Sequence, residues 1–345
     1  MRYPEFLKDN GSIGFVAPSF GCNIEPYKSA FDNALKKFKE MGYKTVLGPN
    51  CYKGEGVGIS NLPKECGDEL NKMYKSDDAD VIISCGGGEL MCEVLPFIDW
   101  KGIKESKPKW YLGYSDNTNF TFLSTILADT AAIYGSCAPS FGMEPWADSI
   151  KDTFDLLTGK IDKVSNYPKW EKEGLKDEEH PLMPYNLTEP YSQKNYNIPE
   201  NEEETSIEGR LIGGCLDILV NLCGTEFDKV DEFLERYKND GFIWFIESCD
   251  LSMLDIRRAF FHLKHAGWFK YAKGFLIGRP YRHGEEMMGV DQYNAVLPII
   301  EEKGVPIVMD IDIGHIPSSM PIISGAYSKV DIKQNEISVK YEFIK

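Results

Sequence analysis

Over the first 135 residues, short apolar runs alternate with segments of helical period, and each run ends in a turn. Ile13-Gly14-Phe15-Val16-Ala17 stops at Pro18-Ser19. Tyr27, Ala30, Phe31, Ala34, Leu35, Phe38 and Met41 then recur at helical spacing before Gly42 ends the pattern. Residues 44–47 read as a second strand and 62–75 as a helix. A third strand, 80–84, runs into Cys85-Gly86-Gly87-Gly88, and a fourth, 110–113, passes straight into a helix over 117–129. Strands joined by helical crossovers pair in parallel, so the expected fold class is α/β, a doubly wound parallel sheet. Ligands of such sheets bind at the carboxyl ends of the strands. The triple glycine and Ser115 both fall at that edge.

A chain of 345 residues is expected to form about two domains. The alternation covers 1–160 as an N-terminal domain. Residues 161–207 change character: between 171 and 204 there are ten acidic and three basic side chains, with Pro, Asn and Tyr scattered among them. This stretch reads as an acidic connecting loop, either a solvated linker or a flap, and Trp170, Tyr185, Tyr191 and Tyr196 supply the aromatic surface a flap needs. Residues 208–345 carry their own strands and helices, with β-like segments near the end, and form the C-terminal domain.

The formal net charge of −16 excludes nucleic acid and anionic membrane as natural partners, because such a surface repels phosphate. No segment approaches 18 consecutive apolar residues, and the first residues lack a signal-peptide core, so a cytoplasmic location is expected. Nine cysteines, an odd number without CxxC spacing, read as mostly buried thiols, Cys85, Cys215 and Cys249 among them. The usual zinc-ligand spacings are missing, and neither a metal nor a cofactor is expected.

The sharpest local feature is Leu112-Gly113-Tyr114-Ser115-Asp116-Asn117. A strand that enters a helix through Gly-x-Ser holds the serine on a tight turn above the sheet edge, the geometry of a nucleophile elbow. Asn117 replaces the small residue usual two positions after the serine, and a helix N-cap is the competing reading. His315 follows an apolar strand, between Gly314 and a proline-restricted turn, which exposes an imidazole or simply packs one. Glu247 closes Phe242-Ile243-Trp244-Phe245-Ile246, where a carboxylate is costly unless paired, either with a histidine or in a plain ion pair with Arg257 or Arg258. Gly86 to Gly88 can bring backbone N–H groups to an oxyanion or merely make a tight turn.

Taken together, several segments resemble the family of serine peptidases that comprises LD-carboxypeptidases and the microcin C immunity proteins. They are Ile13 to Ser19, Gly86-Gly87-Gly88 with Leu95-Pro96-Phe97-Ile98-Asp99, Gly113-Tyr114-Ser115-Asp116, Glu208 to Cys215, Glu247, and Gly314-His315 with a following proline. The resemblance implies a flavodoxin-like N-terminal domain and a smaller β-rich α/β C-terminal domain. It implies Ser115 as nucleophile, His315 as general base and then acid, Glu247 as the orienting carboxylate, and the N–H groups of Asp116 and Gly88 as oxyanion hole. The acidic insertion before Glu208 is more like the immunity branch, in which an aromatic residue stacks on a nucleoside, here Trp170 first and Tyr185 as the alternative. Cys215 stands where many relatives have Asn. The implied substrate is a small peptide or an aminoacyl nucleotide. Arg210, Arg279 and Arg282 are available for its carboxylate, with Arg210 the first candidate among them, and a homodimer is implied. Two other classes stay open: a Cys85-dependent, amidotransferase-like hydrolase, and a non-enzymatic α/β ligand-binding protein.

Overall fold

A computed structural model describes residues 1–198 and 204–343. The chain divides into two compact units. The first comprises Met1–Ile161 with Glu173–Asn186; the second comprises Asp162–Lys172 and the chain from Leu187 on. The stretch 161–207 is thus shared between the two units, and its residues 199–203 lie outside the described residues.

The first unit is built on β1 (Ser12–Val16), β2 (Lys44–Leu47), β3 (Val81–Ser84), β4 (Tyr111–Gly113) and β5 (Ala132–Tyr134). Within the unit they lie in the order β2-β1-β3-β4-β5, all parallel, which is the flavodoxin-like order. The helices are α1 (Tyr27–Glu40), α2 (Pro63–Lys75), α3 (Trp100–Glu105), α4 (Thr118–Ala128) and α5 (Asp148–Leu157). In α1 the apolar spacing seen in the sequence becomes one buried face of Ala30, Phe31, Ala34, Leu35 and Phe38, and Phe31 and Phe38 pack on Phe15 of β1. Burying each such ring stabilises the layer by about 1.5–3 kcal/mol. The chain reverses direction across this sheet between β1 and β3. Their carboxyl ends open onto Ser19 and onto Gly86 to Gly88.

The second unit contains β6 (Lys163–Ser165), β7 (Lys169–Glu171), β8 (Leu187–Pro190), β9 (Lys194–Tyr196), β10 (Thr205–Cys215), β11 (Phe242–Glu247), β12 (Ala272–Gly278), β13 (Ile307–Ile311), β14 (Ile322–Ser324), β15 (Tyr327–Ile332) and β16 (Ile337–Glu342). Its helices are α6 (Leu216–Leu222), α7 (Val230–Arg236), α8 (Met253–His265) and α9 (Gln292–Ile300). One eight-stranded sheet runs β6-β16-β15-β10-β11-β12-β13-β9, and β7 pairs with β8 as a separate ribbon. The central four strands, β10 to β13, are mutually parallel, and their flanks are antiparallel. β11 is buried along its whole length, with Trp244 stacked on Trp268, so its apolar run reads as an interior strand. Ser252 caps α8 by accepting from the Asp255 N–H.

No helix among the described residues is long and apolar enough to cross a membrane.

Candidate active site

In the first unit, β4 ends at Gly113, Tyr114 is fully extended, and Ser115 to Asn117 form a single tight turn that leads into α4. Ser115 has φ of +64°, a left-handed conformation that costs a non-glycine residue energy and presents its side chain away from the strand. Its N–H donates to the Tyr134 hydroxyl at 3.2 Å. A Cβ at Gly113 would come within 2.8 Å of the Asn117 side chain, so the glycine is what lets the turn close.

Asn117, the departure from the usual pattern, has its own work. Its Nδ2 donates to the Gly86 carbonyl at 2.7 Å and to the Tyr114 carbonyl at 3.1 Å, while its Oδ1 accepts from the Tyr111 hydroxyl at 2.5 Å. The glycine loop is thereby tied to the serine turn, and a Cβ at Gly87 would lie 2.9 Å from the Ser115 Cβ. Asp116 is 1% exposed and ties in two more segments. Its Oδ2 accepts from the Ser19 hydroxyl at 2.5 Å and the Met91 N–H at 2.9 Å, and its Oδ1 accepts from Asn119 at 2.9 Å. Burial pushes its carboxyl up, against the pull of these donors. The loops after β1, β3 and β4 are therefore one hydrogen-bonded assembly around Ser115. Among the described residues, the N–H groups of Gly87 and Gly88 donate to no backbone acceptor.

In the second unit, Glu247 closes β11 at 1% exposure, above a cavity of about 20 Å³ lined by Leu216, Ile256, Phe260 and Met309. Its Oε2 lies 2.8 Å from His315 Nδ1. Burial alone would push the imidazole down; the Glu247 carboxylate, together with a hydrogen bond to Cys249, outweighs it and holds His315 well above its ordinary value. Gly314 makes the approach possible. It has φ of +110°, and a Cβ there would stand 2.4 Å from the Glu247 Oε2. Arg258 bonds Asp255 and Arg257 bonds the Asn294 carbonyl, so the partner of Glu247 is the histidine and not either arginine.

Several expected contributors are found elsewhere. Arg210, the first candidate for the substrate carboxylate, is 4% exposed and sits opposite Phe242, at the far end of β11 from Glu247. Its guanidinium bonds Asp240 and the Gly325 carbonyl and lies over the Tyr237 ring, so it is a buried structural cation. Arg279 is equally buried, bonded to Asp312 and the Asp310 carbonyl. Of the three arginines, Arg282 is the exposed one. Trp170 is half-buried on β7, donates to the Pro190 carbonyl at 3.2 Å, and carries the Arg279 guanidinium 5.1 Å from its ring. The Cys85 thiol is fully buried and raised well above its ordinary value, chiefly by burial, which is the wrong state for a nucleophile. His180, His262 and His265 are exposed, and His283 packs edge-on to Trp170.

Sequence reasoning missed β10 as a strand, because its glycines and charges hide the apolar pattern. It also missed Asp217, which accepts from the N–H groups of Cys249, Asp250 and Leu251 and so holds the loop after Glu247. Nothing in the spacing of these residues signals that contact.

The first unit thus carries a strained serine on a strand-turn-helix elbow, and the second a carboxylate-oriented imidazole in the loop after β13. Residues 13–135 match the LD-carboxypeptidase N-terminal domain and residues 208–330 the LD-carboxypeptidase C-terminal domain, and the chain belongs to this family of serine peptidases. It is 27% identical to the microcin C7 self-immunity protein MccF of Escherichia coli, over 96% of this chain and 94% of that protein. It is 24% identical to the probable murein peptide carboxypeptidase of Bacillus subtilis, over 94% of this chain and 89% of that protein. The fold matches MccF in complex with glutamyl sulfamoyl guanosine with a TM-score of 0.82, at 23% identity and over 99% of both chains.

Proposed function

We propose that this peptidase is an immunity-type serine hydrolase that cleaves the amide-type bond of peptidyl or aminoacyl nucleotides, with Ser115, His315 and Glu247 as its triad. The observation that carries the reading is the 2.8 Å bond between His315 Nδ1 and the buried Glu247 carboxylate. It fixes the tautomer and makes Nε2 the nitrogen that exchanges protons with a serine. The Ser115 hydroxyl adds to the substrate carbonyl as its proton passes to His315. N–H groups of Asp116, at the start of a helix, and of Gly88 hold the oxyanion. His315 then protonates the departing nitrogen, and water, activated by the same imidazole, releases the acid from Ser115.

The nucleotide branch is favoured by Trp170, whose half-buried ring gives a base a flat surface backed by the Arg279 guanidinium. Solved structures of the relative MccF contain glutamyl sulfamoyl guanosine and aspartyl sulfamoyl adenosine. A murein LD-carboxypeptidase is the second reading, supported by the Bacillus subtilis relative. There the exposed Arg282 would take the terminal carboxylate. Cytoplasmic location and a homodimer complete the proposal.

The test is a paired hydrolysis assay of wild type and Ser115→Ala, using aspartyl sulfamoyl adenosine beside an LD-linked murein tetrapeptide. The expected outcome is wild-type cleavage of the nucleotide and a loss on the order of 10⁴-fold or more in kcat for the variant. Cleavage of the tetrapeptide alone moves the protein to wall recycling. An unchanged rate in Ser115→Ala removes the triad.

A further inference from the structure

At the carboxyl ends of β10 and β11, donor atoms of different softness converge. Cys215 closes β10 in register with Glu247. One donor atom from each of Cys215, Glu247 and His315 lies within 4.8 Å of the other two. This is not a solvated acidic surface, since Cys215 and Glu247 are 2% and 1% exposed. Cys249, two residues past Glu247, hydrogen-bonds the His315 ring and is partly exposed. Asp217 holds both thiols in place: its Oδ2 accepts from the Cys249 N–H at 3.1 Å and lies 3.4 Å from the Cys215 Sγ.

We infer that Cys215, Glu247 and His315 form a binding site for a thiophilic divalent cation, zinc above all, whose occupancy switches the hydrolase off. Thiolate, imidazole and carboxylate are the donor types zinc takes, and three protein ligands leave a fourth position for water. Around a tetrahedral ion with bonds of about 2.0–2.3 Å, ligand atoms sit roughly 3.3–3.7 Å apart, so small side-chain rotations close the set. Binding displaces the Cys215 thiol proton and the proton shared by His315 and Glu247. An imidazole held by a metal cannot accept the serine proton, and turnover stops. The inhibition rests on the triad proposed above; the binding does not.

The test uses the full chain stripped with a chelator. Cobalt(II) is the optical probe, because a thiolate ligand gives it a near-ultraviolet charge-transfer band, and zinc binding is measured by calorimetry. One equivalent of cobalt is expected to bind with that band. Cys215→Ala should lose the band and weaken zinc binding by at least about tenfold, while Ser115→Ala keeps both. Zinc should inhibit hydrolysis reversibly, chelator should restore it, and Cys215→Ala should need at least about tenfold more zinc for half-inhibition relative to its own metal-free rate. Cobalt bound without the band, or zinc affinity unchanged in Cys215→Ala, overturns the site. If no substrate is cleaved by any form, the functional reading fails, and the cobalt band still decides the metal site.

Discussion

Glu247 and Glu69 show how one kind of side chain is put to two uses by its surroundings. Glu247 faces an imidazole, and its charge is the main influence holding His315 up against burial. Glu247→Gln removes that charge, so the His315 pKa falls. A base must be neutral to act, so the acid limb of the kcat profile should move to lower pH. The rate itself should drop by roughly 10²–10⁴-fold, because a neutral amide no longer stabilises the imidazolium. A pH–rate profile of both proteins checks this. Among the described residues no cation pairs with Glu69. Its oxygens accept from the N–H groups of Ala17 and Asn50, both at 2.8 Å, and burial raises its carboxyl to about 7 despite them. A carboxyl raised in the folded state binds its proton more tightly there than when unfolded. Its contribution to stability is therefore largest below the unfolded value and declines as pH rises from 4.5 to about 7, by at most about 3 kcal/mol. Urea melts at several pH values should show that decline in wild type and a flatter dependence in Glu69→Gln.

At the scale of elements, the serine turn depends on its neighbours as much as on its own residues. Asn117 joins the turn before α4 to the glycine loop after β3, and it is the acceptor for the buried Tyr111 hydroxyl. Asn117→Ala leaves that hydroxyl and the Gly86 carbonyl without this partner, a cost of about 1–3 kcal/mol. The elbow should loosen as well, so kcat should fall more than KM changes. Denaturant melts and steady-state kinetics on the one variant separate the two effects. In the second unit, β10 to β13 bring Cys215, Glu247, Gly278 and the loop carrying His315 to one sheet edge. Parallel pairing aligns strand ends, and this is how residues far apart in sequence come to share one chemistry.

For the whole molecule, the net charge of −16 sets how substrates arrive. An anionic aminoacyl nucleotide approaches against a repulsive field that salt screens, with a Debye length of about 10 Å at 0.1 M. Raising ionic strength should therefore raise kcat/KM for a charged nucleotide substrate and leave a neutral ester substrate nearly unchanged. Stopped-flow or initial-rate measurements across a salt series read this directly.

The α/β class was legible because it rests on local periodicity. The apolar face of α1, the runs of β1, β3 and β11, and the Gly-x-Ser turn are all set by near neighbours in the chain. Ser115, Glu247 and His315 could be singled out as candidates because each stands at a strand end where its residue type is costly or strained. Taken residue by residue, the partner of Glu247 stays open, because Arg257 and Arg258 are near in sequence while His315 is 68 residues away, and only the family resemblance implies the histidine. The burial of Arg210, the work of Asn117 and Asp217, and the convergence of Cys215 with Glu247 and His315 depend on strand register. Register is decided by long-range pairing of whole strands, and no window of sequence carries it.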